Sequence, residues 1–148
     1  HASYADGVRW QALKRIAEEL GIRVRRTNPH AEPTMEAGYA AARLIADQRT
    51  TAVIAYNDAL GVGLIKGLSA LGFSVPEAVS VVGFDNVRLS DVVSPGLTTI
   101  AAPLQMQGQT GMRNLIAMVG GAHLSSDPLV LPVSLRERES TAPPRTIR

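Results

Sequence analysis

The stretch that decides the fold runs from residue 51 to residue 86 and reads TAVIAYNDALGVGLIKGLSALGFSVPEAVSVVGFDN. It begins and ends with apolar runs of strand length, 51–56 and 79–84. Between them, apolar residues recur at helical spacing: Val62, Ile65 and Leu68, with Leu64 and Leu71 beside them. A buried strand, an amphipathic helix and a second buried strand form a βαβ unit, whose strands lie parallel. The stretch therefore predicts an open α/β fold, a parallel sheet flanked by helices.

Before this stretch, the sequence predicts two helices and a strand. The first helix ends at Gly21 and has five apolar residues on one face: Trp10, Leu13, Ile16, Ala17 and Leu20. The run 22–27 predicts a strand with Arg23 and Arg25 on its solvated side. Thr34 is the predicted N-cap of the second helix, with these residues facing inward: Ala37, Ala41, Leu44 and Ile45.

After this stretch, residues 97–100 predict another strand and residues 104–119 a last helix that ends at two glycines. Residues 129–135 predict an extended segment, which Pro132 confines to the edge of a sheet or to a crossing segment. The tail from Thr141 onward is expected to fray.

Composition excludes several classes of protein. Apolar residues make up 45% of the 148 and charged residues 19%, which is too apolar for a disordered chain. The absence of cysteine excludes a disulfide scaffold, a zinc ribbon and a thiol nucleophile. No apolar run reaches the length of about 18 residues that spans a bilayer. The net charge of +2 does not favour a nucleic-acid surface, since phosphate binding needs clustered basic residues.

No constellation typical of an enzyme is present in the sequence. Gly61, Gly63 and Gly67 come close to a dinucleotide-binding fingerprint, but Lys66 occupies the place of the third glycine and the motif lies inside a helix. The histidines are scattered, and His30 with Glu32 is better explained as a solvated loop than as a metal site. The sequence predicts no catalysis, no metal and no cofactor.

Polar residues follow two of the predicted strands. In an open parallel sheet, ligands bind beyond the carboxyl ends of the strands. Asn57 and Asp85 lie closest to those ends and are the candidate ligand contacts, although spacing alone leaves a structural role equally open. Asp58 is the predicted N-cap of the middle helix, and Asn86 is a predicted turn residue.

Five blocks of sequence, in this order and spacing, resemble the LacI/GalR family of bacterial transcriptional regulators: 51–58, 71–76, 79–86, 94–100 and 131–141. The resemblance implies a type I periplasmic-binding-protein fold, in which two α/β subdomains close on a small molecule. Residues 1–102 are expected to form the C-terminal effector-binding subdomain without its opening strand. Residues 103–131 would supply a helix and strand to an N-terminal subdomain that this chain lacks, and 132–148 a return segment and tail.

The resemblance also implies which residues contact the effector. Arg9, Asn57 and Asp85 match the family's polar contacts, although a register anchored on Gly7 would give Tyr4 in place of Arg9. Four further positions are weaker candidates: Trp10, Phe84, Ala102 and Leu104. An arginine fork and an amide donate to hydroxyl groups, while a carboxylate accepts from them, which suits a sugar or nucleoside. Val62 and Val93 fall where the family dimerises, with intramolecular core an equal alternative for Val62.

The expected function is the effector-sensing and dimerisation part of a cytoplasmic, sugar-responsive transcriptional repressor. Operator DNA would be bound only through a headpiece absent from this chain. The alternative is a sugar-binding receptor of an uptake system with the same fold. Without a partner subdomain, the helix at 104–119 is expected to expose apolar surface and cause aggregation, oligomerisation or swapping.

Overall fold

The computed structural model describes residues 3–27, 32–48, 50–123, 125 and 127–144. The chain divides into two units, His1–Pro33 and Thr34–Arg148. No helix among the described residues is both long enough and apolar enough to cross a membrane. His30, for which the sequence predicts a solvated loop, lies outside the described residues.

The first unit is built on helix α1, Tyr4–Glu19. The Ser3 hydroxyl caps its start by accepting a hydrogen bond from the Asp6 amide, and Gly21 follows its end with a φ of +65°. Ala17 is its one buried residue, whereas Ile16 and Leu20 are exposed. The predicted apolar face is therefore largely uncovered within this unit.

The predicted strand at 22–27 is not formed. A strand needs a neighbour to accept and donate its backbone hydrogen bonds. The described part of the first unit contains no second strand. Arg26 instead pairs with Asp6, and its guanidinium lies 5.8 Å from the centre of the Trp10 ring, within range of a cation–π interaction.

The described part of the second unit holds a four-stranded sheet and four helices. In chain order its elements are α2 (Met35–Asp47), β1 (Ala52–Ile54), α3 (Asp58–Ala70), β2 (Ser80–Phe84), α4 (Arg88–Val92), β3 (Thr98–Ala101), α5 (Leu104–Val119) and β4 (Ser134–Arg136). The strand order is β1-β2-β3-β4, with the first three strands parallel and β4 antiparallel at the edge. The predicted open α/β fold is confirmed, and β4 takes the edge position that Pro132 indicates.

Helix α3 lies between α2 and the sheet. Its predicted core residues Val62, Ile65 and Leu68 are buried with Leu64, while Leu71 is exposed. Thr34 caps α2 as predicted, but the buried residues of α2 are Gly38, Ala42 and Ile45. Leu44 is exposed, so its predicted inward position is wrong, because the contact with α3 runs along the small residues of α2.

Glycine allows α2 and α3 to pack closely. A Cβ atom at Gly63 would overlap the Met35 carbonyl, and one at Gly67 would overlap the Tyr39 carbonyl. A Cβ at Gly38 would likewise overlap the Leu60 carbonyl. The glycines that come close to a dinucleotide fingerprint therefore have a packing role.

Helix α5 has the predicted bounds but no buried residue. All seven of its large apolar side chains are exposed: Leu104, Met106, Met112, Leu115, Ile116, Met118 and Val119. The expected exposure of apolar surface on this helix is confirmed.

The segment after β4 is bound into the sheet. The Ser140 hydroxyl donates to the Val81 carbonyl (2.6 Å) and accepts from the Thr98 amide (2.8 Å), so it joins β2 to β3. The Ala142 amide donates to the Ser80 hydroxyl at 3.1 Å, and Thr141 bonds with Thr98. The expectation that the tail frays from Thr141 is therefore wrong for its first two residues.

Candidate functional site

The carboxyl ends of β1, β2 and β3 lie along one edge of the sheet. Ile54 is opposite Val82, and Phe84 is opposite Ile100, so the three parallel strands end at nearly the same level. Asn57 follows β1, Asp85 follows β2 and Ala102 follows β3, and all three are half-buried. The two candidate contacts thus lie at the same edge, on neighbouring strands, and neither is sealed in the core.

Asn57, not Asp58, is the N-cap of α3. Its Oδ1 atom accepts a hydrogen bond from the Leu60 amide at 2.9 Å. The predicted capping role of Asp58 is therefore wrong by one residue. Both residue types are good N-caps, so residue type alone does not decide which of the two forms the cap.

Asp58 instead ties two other elements together. Its side chain is buried, with the residue 1% exposed. Its Oδ2 atom accepts from the Val87 amide at 2.8 Å, and its Oδ1 atom accepts from the Thr99 hydroxyl at 2.5 Å. The sequence shows an acidic residue at a helix start, but it does not show these two partners 29 and 41 residues away.

The turn after β2 has an uncommon backbone conformation. Asp85 has a φ of +104° and Asn86 a φ of +57°, in a region that L residues rarely adopt. The Asp85 amide donates to the Ile100 carbonyl at 2.9 Å, which holds Asp85 against β3. The prediction of Asn86 as a turn residue is confirmed.

Arg138 also holds this turn, a role that the sequence analysis missed. Its guanidinium donates to Asn86 Oδ1 (2.9 Å) and to the Leu97 carbonyl (2.8 Å) and pairs with Asp91. Arg138 and Arg136 both lie in the block 131–141, and nothing in the local sequence distinguishes one from the other.

The weaker candidates differ in position. Phe84 and Ala102 are half-buried at the carboxyl edge, whereas Leu104 is 47% exposed at the start of α5. Arg9 and Trp10 belong to the first unit, where both are half-buried. Their contact with an effector stays a prediction.

Val62 is 0% exposed and belongs to the core, which supports the alternative of intramolecular packing. Its interface role stays a prediction. Val93 is half-buried beside a surface groove of about 330 Å³ that Lys66, Leu89, Val92 and Ser94 also line. The interface role of Val93 stays a prediction.

The sequence matches the family described as periplasmic binding protein-like domain over residues 1–141. The chain belongs to this family. It is also 35% identical over 146 residues to the HTH-type transcriptional repressor PurR of Yersinia pestis, an alignment that covers 95% of this chain and 42% of that protein.

Two solved structures share the fold at a TM-score of 0.83. One is the complex of the transcriptional regulator CelR with cellobiose, which is 29% identical over 92% of this chain and 42% of that chain. The other is a LacI family transcriptional regulator from Enterococcus faecium with bound ribose, 30% identical over 93% of this chain and 52% of that chain. These likenesses confirm the predicted resemblance to LacI-type regulators. The chain spans about half the length of these relatives.

Proposed function

We propose that this chain is the effector-sensing and dimerisation part of a sugar-responsive transcriptional regulator that acts as a repressor. The observation that carries the proposal is the pairing of Asn57 and Asp85 at the carboxyl edge of one parallel sheet. An amide and a carboxylate at this edge suit a molecule with several hydroxyl groups, because the carboxylate accepts hydroxyl hydrogens and the amide donates to hydroxyl oxygens.

The proposed mechanism is a population shift. Contacts from Asn57 and Asp85 favour the closed form of the cleft because they are complete only there. Closure then changes the operator affinity of a DNA-binding headpiece through a coupling free energy between the two sites. No bond in the effector is made or broken, so the protein is not an enzyme in this proposal. It acts in the cytoplasm, where the operator DNA is. It acts as a dimer whose interface includes the groove beside Val93.

Titration calorimetry of the intact protein tests the proposal. Ribose and cellobiose, which are bound in two of the related structures, are compared with a nucleoside, adenosine. We expect binding of at least one of the three and an accompanying change in operator affinity. Binding without any effect on DNA, by a monomer, would favour the uptake-receptor alternative.

Asp85→Ala is the variant that tests the site. We expect it to weaken the binding of that compound by about tenfold or more, because a buried hydrogen bond to a charged group contributes about 1.5–3 kcal/mol. Its melting temperature should stay near that of the parent protein. An unchanged dissociation constant in the folded variant would remove Asp85 from the site.

A further inference from the structure

The turn that carries Asp85 needs support from outside its own residues. Two successive L residues, Asp85 and Asn86, have positive φ angles there. Such conformations persist only where the surrounding structure holds them. Val87 ends the turn and is the N-cap residue of α4, with no side-chain capping hydrogen bond of its own.

Asp58 supplies part of this support, beside Arg138, which bonds with Asn86, and the Ile100 carbonyl, which accepts from the Asp85 amide. Its Oδ2 atom accepts the hydrogen bond of the Val87 amide, two residues after Asp85, and its Oδ1 atom bonds with Thr99 of β3. A buried carboxylate is costly unless its oxygens are hydrogen-bonded, and here each oxygen has a partner. Gly83 makes room for the carboxylate, since a Cβ at that position would overlap Asp58 Oδ1.

Asp58 is also adjacent to Asn57 in the chain. The first residue of this pair caps α3 at the carboxyl edge, and the second restrains the turn that carries Asp85. Because the peptide bond between them fixes their separation, the pair sets the position of one candidate contact relative to the other.

We infer that Asp58 is a positioning residue for effector binding, which holds the 85–87 turn through the Val87 amide without contacting the effector. This inference rests on the proposed function, because it takes Asn57 and Asp85 as the effector contacts. It makes effector affinity depend on a hydrogen bond that lies outside the contact surface.

Three variants of the intact protein separate positioning from stability. Asp58→Ala removes both hydrogen bonds. Asp58→Asn keeps the size and an acceptor for the Val87 amide, and its amide group can donate to Thr99. Thr99→Val, the matched control, removes the bond to β3 and leaves the one to Val87.

Two measurements are made on each variant. Amide hydrogen exchange at Val87 reports the turn without any ligand, and calorimetry with ribose or cellobiose, whichever binds the parent protein more tightly, reports the site. We expect Asp58→Ala to speed Val87 exchange and weaken sugar binding by about tenfold or more each. Asp58→Asn should lie between Asp58→Ala and the parent. Thr99→Val should lower the melting temperature while changing the dissociation constant by less than about threefold.

The inference predicts that sugar affinity follows the protection of the Val87 amide and not the melting temperature. It is overturned if Asp58→Ala melts earlier but keeps the parent's affinity and Val87 protection. Should Asp58→Ala not fold, Asp58→Asn decides: the inference is overturned if this variant exchanges the Val87 amide faster than the parent but keeps the parent's sugar affinity. If Asp85→Ala also binds like the parent, or if none of the three compounds binds, the proposed function fails, while Val87 exchange still reports on Asp58 alone.

Discussion

At the scale of single residues, the Asn57–Asp58 pair divides two roles between two similar side chains. Asn57 caps α3, and Asp58 is buried against the Val87 amide and Thr99. Both residue types form N-caps, so the sequence predicts a cap here but not which residue forms it.

The capping and binding roles of Asn57 can be separated by Asn57→Asp. Aspartate is as good an N-cap as asparagine, so we expect the melting temperature to stay within a few degrees of the parent. The substitution replaces an amide donor with a second carboxylate at the sheet end that also carries Asp85, and sugar affinity should fall by about tenfold. Thermal unfolding and calorimetry on the same sample check both statements.

The control for this prediction is Asn57→Ala, which loses the cap as well. It should cost about 1 kcal/mol of stability in addition to the loss of affinity. If Asn57→Asp binds sugar as tightly as the parent, the side chain acts only as a cap.

At the scale of elements, α2 and α3 show what a hydrophobic pattern predicts and what it misses. The core residues of α3 follow from helical spacing, and Val62, Ile65 and Leu68 are buried as predicted. The buried face of α2 does not follow from this spacing. Gly38 and Ala42 form its contact with α3, but such small residues contribute almost nothing to a hydrophobic pattern. A pattern of apolar residues detects side chains that fill space, but it does not detect positions where one backbone must approach another.

Gly63→Ala tests this close approach of the two helices. The added methyl group would overlap the Met35 carbonyl, so α2 has to shift. We expect a loss of about 1–3 kcal/mol in the free energy of unfolding, measured by urea denaturation.

The matched control is Gly108→Ala on α5, where nothing lies within 4 Å of the added Cβ. Alanine has the higher helix propensity, and this variant should be more stable by up to about 1 kcal/mol. A gain in stability for both variants would contradict the close packing of α2 on α3.

At the scale of the whole chain, the exposed apolar residues of α5 bear on self-association in solution. Met112 and Ile116 lie one helical turn apart and are both exposed. We expect the 148-residue chain by itself to self-associate at micromolar concentration, because contiguous exposed apolar surface promotes association. Light scattering and sedimentation velocity measure this directly.

The double variant Met112→Lys, Ile116→Lys should restore a monomer, whereas Arg113→Lys, which keeps the charge on the same helix, should not. A monodisperse monomer for the unaltered chain would contradict the prediction. The sequence predicts this exposure in two steps. The apolar residues of α5 predict a helix, and the resemblance assigns that helix to the other subdomain, against which it would pack.

The overall architecture is the level at which sequence analysis succeeds best. The strand-forming runs and the helical spacings are local, and the rule that ligands bind beyond the carboxyl ends of parallel strands places Asn57 and Asp85 correctly at one edge. The roles of Asp58 and Arg138 depend on partners 29 to 52 residues away. Nothing in their local sequence encodes such partners.

The insertion of Ser140 between β2 and β3 has a consequence for how the protein is made. Its hydroxyl forms hydrogen bonds with the Val81 carbonyl and the Thr98 amide, which are 59 and 42 residues earlier in the chain. On the ribosome, both strands are therefore synthesised well before the residue that joins their amino ends. The sheet can reach its final hydrogen bonding only after translation has passed Ser140, and nascent chains that stop short of it are the forms that chaperones and proteases would meet.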